Sequence, residues 1–415
     1  MVNTMVEVEA LDFVKRSKIE YERTAENYTG YRKRFFYDRL NHRLNILYGI
    51  RGSGKTTLMF QKYNELDEEK RVYLHGEEIR TVRLSLLEVL KAVRYLFGND
   101  AEVFIDEINT YPNWWEEIKI AYDKYPKMRF YLTGSSSLNM LESKQKLARK
   151  GNYIHLPPLS FREYIYLKTG GKLQKFTPGE DLLRSTMRYD LYIQEKIPHV
   201  FEIVEEYINN NLPYLFENEH QTLKDLVEKV IYSDIAKSRN LETNTLNRFE
   251  RMVLILSTST KINYSVLSND LGVSKSMVGS MLDLLERSEI IKRVLPYRSG
   301  KSSVRKEWKY YFNVPSIRKV FADIILTPED EVSGNMTEDI FVSNFQDVYF
   351  LDPIDFVWRD YLIEIGSKKK DISQFEKIDK RLRSRFRKVI VHKGVDISES
   401  KGVYKIPFYV FYSMV

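Results

Sequence analysis

Gly49, Gly54, Lys55 and Thr56 stand in the run GIRGSGKT (49–56), where four residues separate two glycines and a lysine and a hydroxyl follow the second. That spacing makes a phosphate-binding loop. Glycines let the backbone fold tightly enough for several N–H groups to face one anion. A lysine at this place brings positive charge to the β- and γ-phosphates of a nucleoside triphosphate, and the next hydroxyl holds Mg²⁺. The expected nucleotide contacts are Gly49, Arg51, Gly52, Ser53, Gly54, Lys55, Thr56 and Thr57, with ATP and Mg²⁺ as ligands. A second group is Asp106-Glu107, which follows the apolar run Val103-Phe104-Ile105. Carboxylates at the C-terminal end of a buried strand lie where open α/β sheets bind ligands. Asp106 suits the Mg²⁺ shell, and Glu107 suits orienting or deprotonating the attacking water. A third run, FYLTGSSS (130–137), ends in hydroxyls that either touch the water and γ-phosphate or simply form a turn.

These residues need a sheet to hold them. LNILYG (44–49) is strand-like and precedes the loop, and TLMFQKYNEL follows it as an amphipathic helix. VYLHG (72–76), EVFIDE (102–107) and RFYLTGS (129–135) are further apolar runs, separated by helical stretches such as SLLEVLKAVRYLF and WWEEIKIAYDKY. Strands alternating with helices predict an α/β fold with a parallel sheet covered on both faces. The expected divisions are an N-terminal helical segment (1–40), the phosphate-loop core (41–160), a helical region (161–245), a third unit (246–315), a polar linker (316–335) and a C-terminal α/β domain (336–415). In the last, VYFLD, DFVWRD, YLIEIG, KVIVHKG and YKIPFYVF read as strands, with helix at 372–386.

Composition narrows the chemistry. The chain has 415 residues, too many for one ordinary core, and 43% of them are hydrophobic. With no cysteine, disulfides, thiolate metal sites and cysteine nucleophiles are excluded. The 6 histidines form no pair at helical ligand spacing, which argues against a zinc enzyme. A net charge of +7 permits nucleic-acid contact without requiring it. No apolar run reaches the ~20 residues of a membrane span, and the N-terminus lacks a signal-peptide core. The expectation is a cytoplasmic protein with no membrane partner.

The run FIDEINTYPNWWEEIKIAYDKYPKMRFYLTGSSSLNML, followed by HLPPLSFREY, resembles a family of predicted AAA+ ATPases of archaea and bacteria. In that family a tryptophan-bearing helix follows the acidic pair, a strand ends in TGSSS, and a PLSF segment closes the core. The similarity runs from about residue 32 onward: NNNLPYLF is similar to the family's lid segment, and VEKVIYSDIAKSRNLET to a later helix. The resemblance implies an ASCE-type ATPase with Glu107 as catalytic base, a sensor at Thr133 or Ser135, and a homo-oligomer. The family's Gly-Arg pair falls in register on Lys150, with Arg149 beside it. Arg149 is therefore either an arginine finger or part of a surface basic cluster, Lys144 to Lys150.

Residues 248–260 predict one apolar helix, and SVLSNDLGVSKSMVGSMLDLLERSEII reads as helix, turn, helix with Gly272 at the turn. Two strand-like runs, IIKRVLPY and KEWKYYFN, follow. This is the pattern of a winged helix-turn-helix. Lys275 and Ser276 begin its second helix, and Arg298, Lys301, Arg305 and Lys306 mark the wing tip. Such residues contact phosphates and base edges, so DNA is the expected partner, with a protein-contact module as the alternative. Glu338, Asp355 and Glu364 resemble the acidic frame of PD-(D/E)xK nucleases. The lysine that frame needs two residues after its last acid is Gly366, so a restriction-endonuclease-like fold without cleavage is expected. Three readings remain: an ATP-driven machine on DNA, an ATP-dependent signalling or defence switch, and an ATP-regulated nuclease.

Overall fold

A computed structural model describes residues 2–134, 137–147, 149–236, 241–297, 308–366 and 372–415. The chain divides into two compact units, Met1–Pro157 and Pro158–Val415.

The first unit is built on five parallel strands: β1 (Leu44–Tyr48), β2 (Arg71–His75), β3 (Glu102–Asp106), β4 (Arg129–Gly134) and β5 (Asn152–His155), in the order β2-β3-β4-β1-β5. These strands are short and apolar because both faces are covered. Alternation sorts their side chains. Leu44, Ile46, Val72, Leu74, Val103, Ile105, Phe130 and Leu132 enter one core. Leu47, Tyr73, Phe104 and Tyr131 enter the other, with Phe60 and Tyr63 of the helix Lys55–Asn64. The N-terminal helix Val2–Glu26 places Ala10, Phe13 and Val14 in the first core, so the segment 1–40 contributes to this unit. The helix Leu86–Phe97 opens on a capping box in which Ser85 and Glu88 satisfy each other's backbone N–H groups.

The second unit begins with helices Phe161–Thr169, Leu182–Lys196, Val200–Asn209 and Thr222–Lys229. Three more follow: Thr243–Thr258, Tyr264–Leu271 and Lys275–Arg287. Gly272 turns between the last two at φ 62°, and Ser274 caps the third. Then come β6 (Ile291–Pro296) and β7 (Lys309–Phe312), which pair antiparallel. The C-terminal strands are β8 (Val348–Leu351), β9 (Ile354–Trp358), β10 (Tyr361–Gly366), β11 (Arg387–His392), β12 (Ser398–Ser400) and β13 (Val403–Pro407).

Several expectations need correction here. The stretch expected as a polar linker, 316–335, is mostly helix: Pro315–Ile324 and the start of Glu329–Asn344. Its Pro328 and the acids Glu329, Asp330 and Glu331 are helix-start chemistry, which reads as linker when composition alone is weighed. The third and last expected divisions share one eight-stranded sheet, because β6 also pairs in parallel with β8 at Leu295↔Tyr349. A core in this unit joins Phe161 and Tyr207 of the helical region to Phe408 and Tyr412 near the chain end. The run YKIPFYVF is half strand, and the helix Phe408–Phe411 starts after Pro407. The expected 372–386 helix is two short ones, Ser373–Glu376 and Lys380–Arg385. Among the described residues no helix is long and apolar enough to cross a membrane.

Candidate functional site

The loop leaves the C-terminal end of β1 and enters the helix Lys55–Asn64. Gly49 admits no side chain, since a Cβ there would lie 2.3 Å from the Leu156 carbonyl oxygen. Gly54 caps the helix in the left-handed region, φ 86°, which favours glycine. Arg51, Gly52, Thr56 and Thr57 are partly exposed, while Ser53 and Lys55 are buried. The Lys55 ammonium donates to the Gly49 and Ile50 carbonyls at 2.8 and 2.9 Å, which holds it along the loop.

β4 lies between β1 and β3, so the end of the Thr133 strand falls between the loop and the acidic pair. Asp106 gathers the site. Its Oδ2 accepts from the Thr56 hydroxyl at 2.8 Å and the Tyr73 phenol at 2.8 Å. Its Oδ1 accepts from the Thr133 hydroxyl and from the Glu107 backbone N–H at 3.0 Å. Glu107 sits in the left-handed region at φ 46°, and its carboxylate accepts from Arg51 Nη1 at 3.0 Å. These residues fit a magnesium nucleotide. The loop has no room for a side chain at Gly49, and the buried Ser53 hydroxyl has no hydrogen-bond partner among the described residues.

Two residues of this site are absent from the sequence reading. Arg34 is buried and donates to the Ser53 carbonyl at 2.7 Å and the Pro157 carbonyl at 2.9 Å, tying the loop to the segment after β5. It lies in the basic run YRKRFFYDRL, where three neighbouring cations, Arg32, Lys33 and Arg39, conceal it. Tyr73 looks like any other apolar member of its strand. Ser135 lies outside the described residues, and Arg149 is exposed beyond the helix Ser137–Lys146. Lys150 forms an ion pair with Asp123 and lies 5.3 Å from the Tyr122 ring centroid.

In the second unit, Lys275 and Ser276 are exposed at the start of their helix. Arg298, Lys301, Arg305 and Lys306 lie outside the described residues. Asp355 and Glu364 meet across β9 and β10: the Asp355 N–H donates to Glu364 at 3.2 Å, and the Ile365 N–H to Asp355 at 2.8 Å. Glu338 accepts from Tyr311 at 3.1 Å. Among the described residues no group of three or more His, Asp or Glu side chains is placed to hold a metal ion.

Residues 41–165 match the model of a family described as an AAA domain, and residues 213–324 match a domain of unknown function (DUF8612). Two similar proteins come from Methanocaldococcus jannaschii. Uncharacterized protein MJ1637 is 26% identical over 343 residues, covering 75% of this chain and 72% of that protein. Uncharacterized protein MJ1544 is 22% identical over 239 residues, covering 55% of this chain and 50% of that protein. Among solved structures, katanin, from work on its self-assembly, aligns at TM-score 0.24 and 16% identity, over 44% of this chain and 62% of its own. AMPPCP-bound DnaA from Aquifex aeolicus aligns at TM-score 0.24 and 12% identity, over 64% and 85%. The phosphate loop, the acidic pair and Thr133 all fall inside the matched stretch, and residues 41–165 are an AAA-type P-loop ATPase domain.

Proposed function

We propose that the protein binds ATP, hydrolyses it to ADP and phosphate, and couples turnover to DNA. The observation that carries the reaction is the convergence of Lys55, Thr56, Asp106, Glu107 and Thr133 at the ends of β1, β3 and β4. Lys55 and the loop N–H groups bind the β- and γ-phosphates. A magnesium ion held by Thr56 and Asp106 would supply positive charge to the same phosphates. Glu107 orients the attacking water and draws its proton, and Thr133 fixes the Asp106 and Glu107 backbone between them. Arg149, or Lys150 beside it, is the candidate to reach a neighbouring copy's γ-phosphate, which ties turnover to assembly.

The three helices 243–287 with the β6–β7 pair support a winged helix-turn-helix, and the exposed start of its last helix supports phosphate contact. The test is the ATPase rate with and without duplex DNA, with oligomer size measured in the same samples. Stimulation by DNA is expected. An unchanged rate together with no DNA binding at low salt would remove the coupling, and no Mg²⁺-dependent turnover at all would remove the reaction.

The Arg51–Glu107 ion pair favours a second reading, a nucleotide switch with slow turnover. A base paired to the loop's own arginine is drawn away from water. Under that reading Arg51→Ala raises the basal rate several-fold; a fall in rate assigns Arg51 to phosphate binding instead.

A further inference from the structure

Tyr73 is the central residue of β2, and its side chain enters the aromatic face of the sheet. Its ring lies against Phe60 of the phosphate-loop helix with centroids 4.2 Å apart and planes 7° apart. Phe104 lies parallel at 6.2 Å, Tyr63 edge-on at 5.9 Å and Tyr21 tilted at 4.9 Å. The residue is 1% exposed. A ring enclosed on these sides has no free volume in which to turn.

Its hydroxyl donates to Asp106 Oδ2 at 2.8 Å. A carboxylate offers about four lone-pair sites. Here the donors are the Thr56, Tyr73 and Thr133 hydroxyls and the Glu107 N–H. Tyr73 cannot leave without breaking the stack.

We infer that Tyr73 is a positioning residue for the metal-binding carboxylate: it fixes Asp106 Oδ2 beside the Thr56 hydroxyl, so that both oxygens address one cation. The inference rests on the Mg²⁺–ATP reading above. The torsion that turns a carboxylate is broad, and one fixed donor on each oxygen defines it. Removing such an outer partner from a metal ligand typically lowers metal affinity about 10- to 100-fold. Phe60 stacks on the same ring and belongs to the helix that begins at Lys55, so loop helix and carboxylate are held by one aromatic layer.

Tyr73→Phe keeps the ring and removes only the hydroxyl. The experiment titrates Mg²⁺ against the binding of a fluorescent ATP analogue, repeats the binding in EDTA, and records kcat, KM and the melting temperature. We expect the Mg²⁺ half-saturation to rise about tenfold. Metal-free nucleotide affinity should stay within about twofold, and kcat should fall at limiting Mg²⁺ and recover largely at saturation. Phe104→Leu loosens the same layer without touching the hydroxyl; it should lower the melting temperature and leave the Mg²⁺ curve in place. An unshifted curve in Tyr73→Phe, or equal shifts in both variants, assigns the effect to packing and overturns the inference. If wild-type binding ignores Mg²⁺, the Mg²⁺–ATP reading itself fails, and the inference falls with it.

Discussion

In the proposed reaction Lys55 and Glu107 divide the work on one triphosphate by charge. Lys55 stabilises phosphate charge already present in the ground state, so Lys55→Ala is expected to abolish measurable ATP binding. Glu107 is the proposed base acting on water, so Glu107→Gln should bind ATP with near-normal affinity and turn it over at least about 100-fold more slowly. Equilibrium binding and single-turnover hydrolysis on the same preparations check both, and wild-type turnover by Glu107→Gln would sink the base assignment. Arg34 acts at one remove, holding the loop through the Ser53 and Pro157 carbonyls. A lysine keeps the charge but not the planar fork of donors. Arg34→Lys should therefore weaken nucleotide binding about tenfold, the size of one lost charge-assisted hydrogen bond. Unchanged affinity in that variant would confine Arg34 to the fold.

At the scale of elements, the N-terminal helix is tied to β2 by Glu22, whose carboxylate accepts from Arg71 at 2.8 Å and the Tyr63 hydroxyl at 2.7 Å. Burial pushes Glu22 up, but hydrogen bonds from Arg71, Lys18 and Tyr63 prevail and hold it at about 2, below the ordinary 4.5. A carboxylate depressed on folding adds stability that is complete above its unfolded pKa and is lost as pH falls through the folded one. Glu22→Gln should therefore lower stability at pH 7 and flatten the loss between about pH 4.5 and 2. Denaturant midpoints at several pH values test it, and parallel pH curves for the two proteins would contradict it. The helix Lys275–Arg287 and the β6–β7 pair carry the DNA proposal. Replacing Arg298, Lys301, Arg305 and Lys306 together with alanine should weaken DNA binding and reduce the salt slope by about 0.9 per lost phosphate contact. If affinity and slope both hold, that segment faces something other than DNA.

At the scale of the second unit, Arg318 and Asp339 are wholly buried and bridge three helices and a strand. The guanidinium meets the carboxylate at 2.5 and 2.8 Å and donates to the Leu256 and Ser257 carbonyls at 3.0 Å each. Asp339 in turn accepts from the Phe312 N–H at 2.9 Å. Breaking such a pair leaves an uncompensated buried charge and costs about 3–5 kcal/mol, whereas replacing both partners with apolar groups is often neutral. Arg318→Met should thus destabilise the unit by that amount, and Arg318→Met with Asp339→Leu should recover much of it, as read by denaturant unfolding. A double variant no better than the single one would mean that the bonds to Leu256, Ser257 and Phe312, rather than the buried charge, set the cost.

The residues proposed to handle phosphate stand out in the sequence because their chemistry is local. A phosphate loop is one contiguous run whose glycines and lysine act through backbone geometry, and an acidic pair after three apolar residues declares a strand end. The parallel α/β layering followed from alternation of short apolar runs with amphipathic ones. What only the tertiary structure decided depends on residues far apart in the chain. The order β2-β3-β4-β1-β5 puts Thr133 between loop and carboxylates, and no strand's own sequence states its neighbours. Tyr73 and Arg34 entered the site through hydroxyl and guanidinium contacts across 33 and 19 residues, although their types are unremarkable where they stand. The expected divisions of the second half were drawn from local composition. The structure joined those segments instead: β6 met β8, and the chain's last aromatics returned to the helices near residue 161, where a shared core removes their apolar surface from water.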